Sequence, residues 1–353
     1  MKHSLLFRSI ASACATLALA ATAIAGPLNT KGVPANSGAV IHVDFDAARN
    51  SALGKLLFTE TDKGLAKSPA AGPHAWLKEL GLSSASISDL TFGSASNDEG
   101  VAIIRGQIPA SKIQEYATRK GLKSVTIGDR VFFELPALKH GAFALASKPG
   151  NPLLFHAYDA NTAIVADKTN APKVLAALSG KVASYTPPPY LTTYSKTLNT
   201  PPVVLGYIGP KLLKEKPGAK KEAKAFDPTA NLERPTQIFF AAGDSGKNAG
   251  IRVAAGYPDA EKAQEAVTQI QGLLTILSMM TTAPQGKDGA PPDPKKVEEV
   301  KQFKALLARL KVSASGSYLT ASFTYPTEDA LKALQAAINK AGKGTTAETE
   351  GPF

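Results

Sequence analysis

The feature that most constrains this chain is a stretch that recurs, in altered form, about half a chain later. Residues 90–106 read LTFGSASNDEGVAIIRG, and residues 240–256 read FAAGDSGKNAGIRVAAG. A constant offset of 150 aligns three pairs of glycines, which are Gly93 with Gly243, Gly100 with Gly250 and Gly106 with Gly256. Recurrence at a fixed spacing is the sequence signature of a repeated structural unit. The pattern therefore predicts an internal duplication.

The distribution of apolar residues predicts an α+β fold with two similar halves, each a mostly antiparallel sheet covered by helices on one face. Short alternating stretches indicate strands, as in the pair that flanks the hairpin dipeptide Gly128-Asp129. A helix is expected to begin after Pro109 and to end at Gly121. Runs of neighbouring strands with separate helices are typical of the α+β class. The sequence leaves open whether the two sheets join edge to edge or pack as two lobes.

The predicted domain boundaries follow from this interpretation and from changes in composition. Proline-rich sequence occurs at Thr186-Pro187-Pro188-Pro189 and at Pro201-Pro202, where regular structure is disfavoured. The predicted division is a signal peptide (1–25), a first α+β repeat (26–186), a proline-rich linker (187–202), a second α+β repeat (203–341) and a loose C-terminal tail (342–353).

The first 25 residues have the pattern of a secretory signal peptide. Lys2 and Arg8 precede an apolar stretch that ends in Ala23-Ile24-Ala25. This stretch is shorter than the roughly 20 residues of a membrane-spanning helix, so we expect cleavage near Gly26 rather than a membrane anchor. The only cysteine, Cys14, lies inside it, and apolar residues continue beyond it, which disfavours lipid attachment there. The sequence predicts a periplasmic or extracellular chain without cysteine and without a transmembrane segment after cleavage.

The chain is basic, with 40 Lys and Arg residues against 29 Asp and Glu residues and a formal net charge of +11. Six of these positive charges lie within residues 211–224, at Lys211, Lys214, Lys216, Lys220, Lys221 and Lys224. Such a cluster indicates either a solvated loop, which we favour, or a contact for an anionic envelope polymer or a phospholipid surface. No aromatic residue is interleaved to stack on bases, so we expect no specific nucleic-acid binding.

Three polar residues of one predicted strand are the candidates for chemistry. His42, Asp44 and Asp46 are spaced two apart, so their side chains would point to the same side. An imidazole and two carboxylates could ligate a divalent metal ion or act as a base and the group that orients it. The alternative is a solvated strand face whose last residue, Asp46, caps the following helix. Apart from this trio we assign no metal ligand, and we assign no catalytic residue and no cofactor.

The longest apolar run after the signal peptide belongs to a predicted helix that ends near Met280. Leu273 to Met280 offers two interpretations. It could form a surface patch for dimerisation or for a lipid chain, or it could pack in the core. Because most apolar helices are buried by their own domain, we predict core packing.

The start of the predicted mature chain carries a family resemblance. Val33-Pro34-Ala35-Asn36 is followed by a predicted strand that ends in Val43-Asp44 and by Ser51-Ala52-Leu53-Gly54. This resembles uncharacterised secreted bacterial proteins that open with a V-P-A-D lead, a strand ending in V-D and an S-x-L-G helix, although Asn36 replaces the acidic residue. The resemblance implies a duplicated exported domain. It supplies no catalytic residue, because such proteins have no assigned activity.

These observations predict an exported, non-enzymatic binding or interaction protein of the bacterial envelope. The sequence does not identify its partner, for which an anionic envelope polymer and another protein are the candidates. Two alternatives stay open. One is a metal- or carboxylate-dependent hydrolase with its site near Asp44. The other is a chaperone-like carrier of a lipid or of an outer-membrane client. A pocket with converging ionisable groups would favour the hydrolase, and an apolar surface or cavity would favour the carrier.

Overall fold

The structure is a computed structural model that describes ten ranges of the chain. These are residues 28–52, 54–55, 82, 84–96, 99–135, 151–191, 203–214, 233–244, 247–280 and 294–332. The predicted signal peptide, the C-terminal tail, most of the proline-rich linker and four of the six clustered lysines lie outside these residues.

The described part of the chain contains twelve strands, six helices whose bounds are given below and a 3₁₀ turn at Ser84–Ser86, and residues 190–191 and 327–332 are also helical. The strands are β1 (Ala39–Asp44), β2 (Ile87–Ser96), β3 (Glu99–Gly106), β4 (Ser124–Ile127), β5 (Arg130–Glu134), β6 (Leu153–Asp159), β7 (Thr162–Asp167), β8 (Val204–Ile208), β9 (Gln237–Asp244), β10 (Asn248–Gly256), β11 (Leu310–Ser315) and β12 (Tyr318–Pro326). The helices are α1 (Phe45–Asn50), α2 (Ala110–Lys120), α3 (Ala171–Leu178), α4 (Pro210–Lys214), α5 (Ala260–Met280) and α6 (Pro294–Arg309).

All twelve strands belong to one sheet. Their order is β11-β12-β10-β9-β8-β1-β2-β3-β7-β6-β5-β4, and each neighbouring pair is antiparallel. Near the middle of the sheet β1 pairs with β8, and Ile41 lies opposite Gly206 there. This pairing joins the part of the sheet built before residue 168 to the part built after residue 203.

Apolar side chains pack on both faces of this sheet. Along β3, Ala102 and Ile104 belong to one apolar cluster, whereas Val101 and Ile103 belong to another. Successive side chains of a strand point to opposite faces, so the two clusters lie on opposite sides. The first cluster includes residues of α1, α2 and α4, and the second includes residues of α3. We call these sides the first face and the second face.

The prediction of two similar sheets produced by an internal duplication is wrong. The described strands form one sheet, to which the residues before 168 contribute seven strands and those after 203 contribute five. Pairing β1 with β8 satisfies backbone groups that two separate sheets would leave at exposed edges. The prediction that helices cover only one face is also wrong, because the central strands are apolar on both sides and need cover on both.

Candidate functional site

The candidate histidine lies in a buried polar cluster on the second face of the sheet. His42 is opposite Thr91 in the pairing of β1 with β2, and its Nδ1 is 2.9 Å from the Thr91 hydroxyl oxygen. That hydroxyl donates to the Asn29 carbonyl at 3.1 Å. Because a threonine hydroxyl has one hydrogen, it accepts from His42, which places the proton of the neutral imidazole on Nδ1.

An ion pair completes this cluster. Arg105, on β3, donates to an Asp89 carboxylate oxygen at 2.7 Å and to the Lys31 carbonyl at 2.6 Å. The same Asp89 oxygen is 3.9 Å from His42 Nδ1. Burial lowers the pKa of His42 from 6.5 to about 4, with Asp89 opposing this shift and Arg105 adding to it. His42 is therefore a neutral, hydrogen-bonded group at neutral pH.

The other two members of the predicted trio have separate roles. Asp44 is buried and is the N-cap of α1, where its Oδ1 accepts a hydrogen bond from the Ala47 amide at 2.7 Å. Asp46 is exposed in the first turn of α1 and pairs with Arg49. The prediction that Asp46 caps the helix is therefore wrong, because the cap is Asp44, two residues earlier. The strand face is also buried rather than solvated, since the second face carries its own apolar cluster.

The structure therefore brings His42 together with Asp89, Thr91 and Arg105 rather than with Asp46. Within the described residues, no group of three or more His, Cys, Asp or Glu side chains is arranged to hold a metal ion. The sequence reasoning missed Asp89 and Thr91 because it considered one strand at a time. Only the register of β1 against β2 shows that these residues face the histidine.

A concentration of exposed apolar side chains lies elsewhere on the protein, at the edge of the sheet formed by β11 and β12. Helices α5 and α6 contact each other and both strands there. Of the eight large apolar side chains that are exposed in the described residues, six belong to these two helices. They are Ile276, Leu277, Met279, Val297, Phe303 and Leu306, and we call them the α5–α6 apolar surface.

This surface corrects the prediction for Leu273 to Met280. The first half of α5 does pack on the sheet, where Ala263, Ala266 and Val267 are buried. In the second half, the exposed fraction reaches 51% at Ile276 and 71% at Met279. Core packing was therefore the wrong choice for the end of this helix, and the surface-patch interpretation describes it.

Two of the six clustered lysines are described. Lys211 and Lys214 belong to the short helix α4 rather than to a loop, and Lys211 is exposed while its neighbour Leu212 packs in the core. Lys216, Lys220, Lys221 and Lys224 lie outside the described residues, so a contact of the whole cluster with an anionic partner stays a prediction.

The described helices include none with the length and apolarity needed to cross a membrane. No family model matches the chain, and no curated protein matches it either.

The solved structures that are similar to this chain include three crystal forms of the protein TP0453. Form I has a TM-score of 0.44 and 10% sequence identity, and the match covers 89% of this chain and 98% of that chain. Form III has a TM-score of 0.45 at 10% identity, covering 86% and 97%. Form IV has a TM-score of 0.43 at 11% identity, covering 85% and 96%. At this level of similarity, no property of TP0453 is transferred to the present chain.

Proposed function

We propose that this chain is an exported, non-enzymatic binding protein of the bacterial envelope, which contacts its partner through the α5–α6 apolar surface. The observation that carries the proposal is the concentration of exposed apolar side chains on two contacting helices. Isolated exposed apolar residues are common on soluble proteins, whereas a group of them marks an interaction site.

The arrangement of the polar residues supports binding rather than catalysis. His42 and Asp44 are nearly buried, with 3% and 4% of their surface exposed, and each makes a structural hydrogen bond. A hydrolase would need at least one of these groups to reach a substrate. The export part of the proposal rests on the signal-peptide pattern of the first 25 residues and on the predicted absence of cysteine from the mature chain.

The proposal is tested by measuring whether the surface is covered in the envelope. Because Cys14 is the only cysteine in the sequence, a cysteine placed in the mature chain becomes its single thiol. The variants are Met279→Cys in the apolar surface and Gln264→Cys at an exposed polar position of the same helix. Each is labelled with a water-soluble maleimide, once as purified protein and once in the isolated envelope of the source cells.

We expect the thiol at position 279 to react slowly in the envelope and rapidly in the purified protein. The thiol at position 264 should react rapidly in both. Equal rates at position 279 in the two preparations would refute the binding surface. Recovery of the chain from the cytoplasm with its first 25 residues still attached would refute export.

A further inference from the structure

We propose that the α5–α6 apolar surface docks onto the surface of a bilayer that contains anionic phospholipid. This inference rests on the function proposed above and names the partner. The burial of α5, the angular spread of its apolar side chains and the charge of α6 support it.

The burial of α5 decreases along the helix. Ala263 is fully buried, and Val267 is 3% exposed. Leu273 and Leu274 are half-buried, whereas Ile276, Leu277 and Met279 are exposed. The last ten residues extend for about 15 Å at 1.5 Å per residue. An interfacial helix lies in the plane of the membrane with its apolar side in the boundary between headgroups and acyl chains, and the exposed end of α5 offers such a side.

The apolar side chains of this segment spread around the helix. Successive residues are about 100° apart, so Met279, Ile276 and Leu277 cover an arc of about 160°. No residue from 266 to 280 is ionisable. A protein groove receives one narrow side of a helix, whereas fluid acyl chains accommodate a broad apolar arc. The width of the arc favours lipid over a protein groove.

The charge of α6 favours an anionic surface. Its sequence contains five basic residues and two acidic residues. Lys301 and Lys304 are exposed, and at about 100° per residue both lie within about 40° of the exposed Val297 on the helix. Basic side chains beside an apolar surface are attracted to anionic headgroups. Contact with a second copy through the same surface would instead bring two basic helices together, which is unfavourable.

Both helices are held against the body of the protein. Gln271 on α5 donates to the Val312 carbonyl of β11 at 3.4 Å, and the Arg309 guanidinium lies 4.7 Å from the centre of the Tyr325 ring on β12. These contacts orient the two helices before any partner arrives, which lowers the entropic cost of docking.

The test is flotation of the purified mature chain with lipid vesicles. One preparation contains phosphatidylcholine alone, and the other contains phosphatidylcholine mixed with phosphatidylglycerol. The apolar variant combines Ile276→Ser, Leu277→Ser and Met279→Ser, and the charge variant combines Lys301→Glu with Lys304→Glu. The matched control combines Val131→Ser with Val182→Ser, because these valines are 48% and 51% exposed elsewhere on the protein. Circular dichroism and thermal unfolding verify that each variant is folded.

We expect wild type and control to bind the mixed vesicles, and the apolar variant to lose about tenfold or more in partitioning. The charge variant should lose the preference for phosphatidylglycerol. Equal binding by the apolar variant and wild type, or an unchanged preference in the charge variant, would overturn the proposal. The proposal would also be overturned if wild type bound no vesicles, or if wild type formed a dimer that the apolar variant could not form. If vesicle binding fails but the cysteine at position 279 still reacts slowly with maleimide in the envelope, the proposed binding function holds and the partner is a protein.

Discussion

Acidification should destabilise this protein through His42, and the size of the effect follows from its surroundings. The imidazole faces Thr91, Asp89 and Arg105 and is almost completely buried. Burial disfavours the charged form, so the pKa of His42 falls from 6.5 to about 4 in the folded protein. In the unfolded chain the group returns to its ordinary value.

The sign and size follow from proton linkage. Above pH 6.5 His42 is neutral in both the folded and the unfolded protein, so it adds no pH dependence to the free energy of unfolding. As the pH falls towards 4, the unfolded chain binds a proton that the folded protein does not, so the free energy of unfolding decreases. One pKa unit corresponds to about 1.4 kcal/mol, and the full loss is therefore about 3 kcal/mol. Below pH 4 both states are protonated and the loss is complete.

The assay is urea unfolding of wild type and of His42→Gln between pH 7.5 and pH 4. Glutamine keeps a hydrogen-bonding group near Thr91 but does not titrate in this range. We expect the stability of wild type to fall by about 3 kcal/mol more than that of the variant, because other titrating groups contribute to both curves. Two parallel curves would refute the idea that burial holds His42 neutral. His156, whose pKa is also lowered by burial, provides a second histidine for the same comparison.

Three further predictions concern stability and use denaturant unfolding at neutral pH. A Cβ at Gly206 would lie 2.0 Å from Phe240 Cζ, so Gly206→Ala should lower the free energy of unfolding by about 1–3 kcal/mol. Adding Phe240→Leu should restore much of that stability, and a double variant as unstable as Gly206→Ala would contradict the clash. Phe155→Ala should lower the free energy of unfolding by about 3–5 kcal/mol and Val131→Ala by less than about 0.5 kcal/mol, because only the Phe155 side chain is buried. Similar losses in the two variants would argue against this core. Asp44→Ala should cost about 0.5–2 kcal/mol through loss of the α1 cap, and Asp44→Asn should cost less; equal losses would exclude the cap as the cause.

Local features of the fold could be predicted from the sequence because they depend on neighbouring residues. The helix after Pro109 ends at Gly121, whose φ is 61°, and the hairpin turns at Gly128, whose φ is 62°. Both glycines adopt the left-handed conformation that the sequence interpretation required. The joining of all strands into one sheet was not predictable in this way. It depends on β1 meeting β8 across more than 150 residues, which no local pattern encodes.

The α5–α6 apolar surface could not be predicted from the sequence for a related reason. An apolar periodicity shows which side of a helix avoids water, but not whether another element is long enough to cover it. Helix α5 has 21 residues and spans about 31 Å, but its residues in the apolar cluster with β11 and β12 run only from Ala263 to Ile270. One continuous pattern therefore packs on the sheet in its first half, at Val267, and is exposed in its second half, at Met279. Where a helix extends beyond the apolar cluster in which it packs, its remaining apolar side chains are left exposed, and these are the side chains that the proposed docking would use.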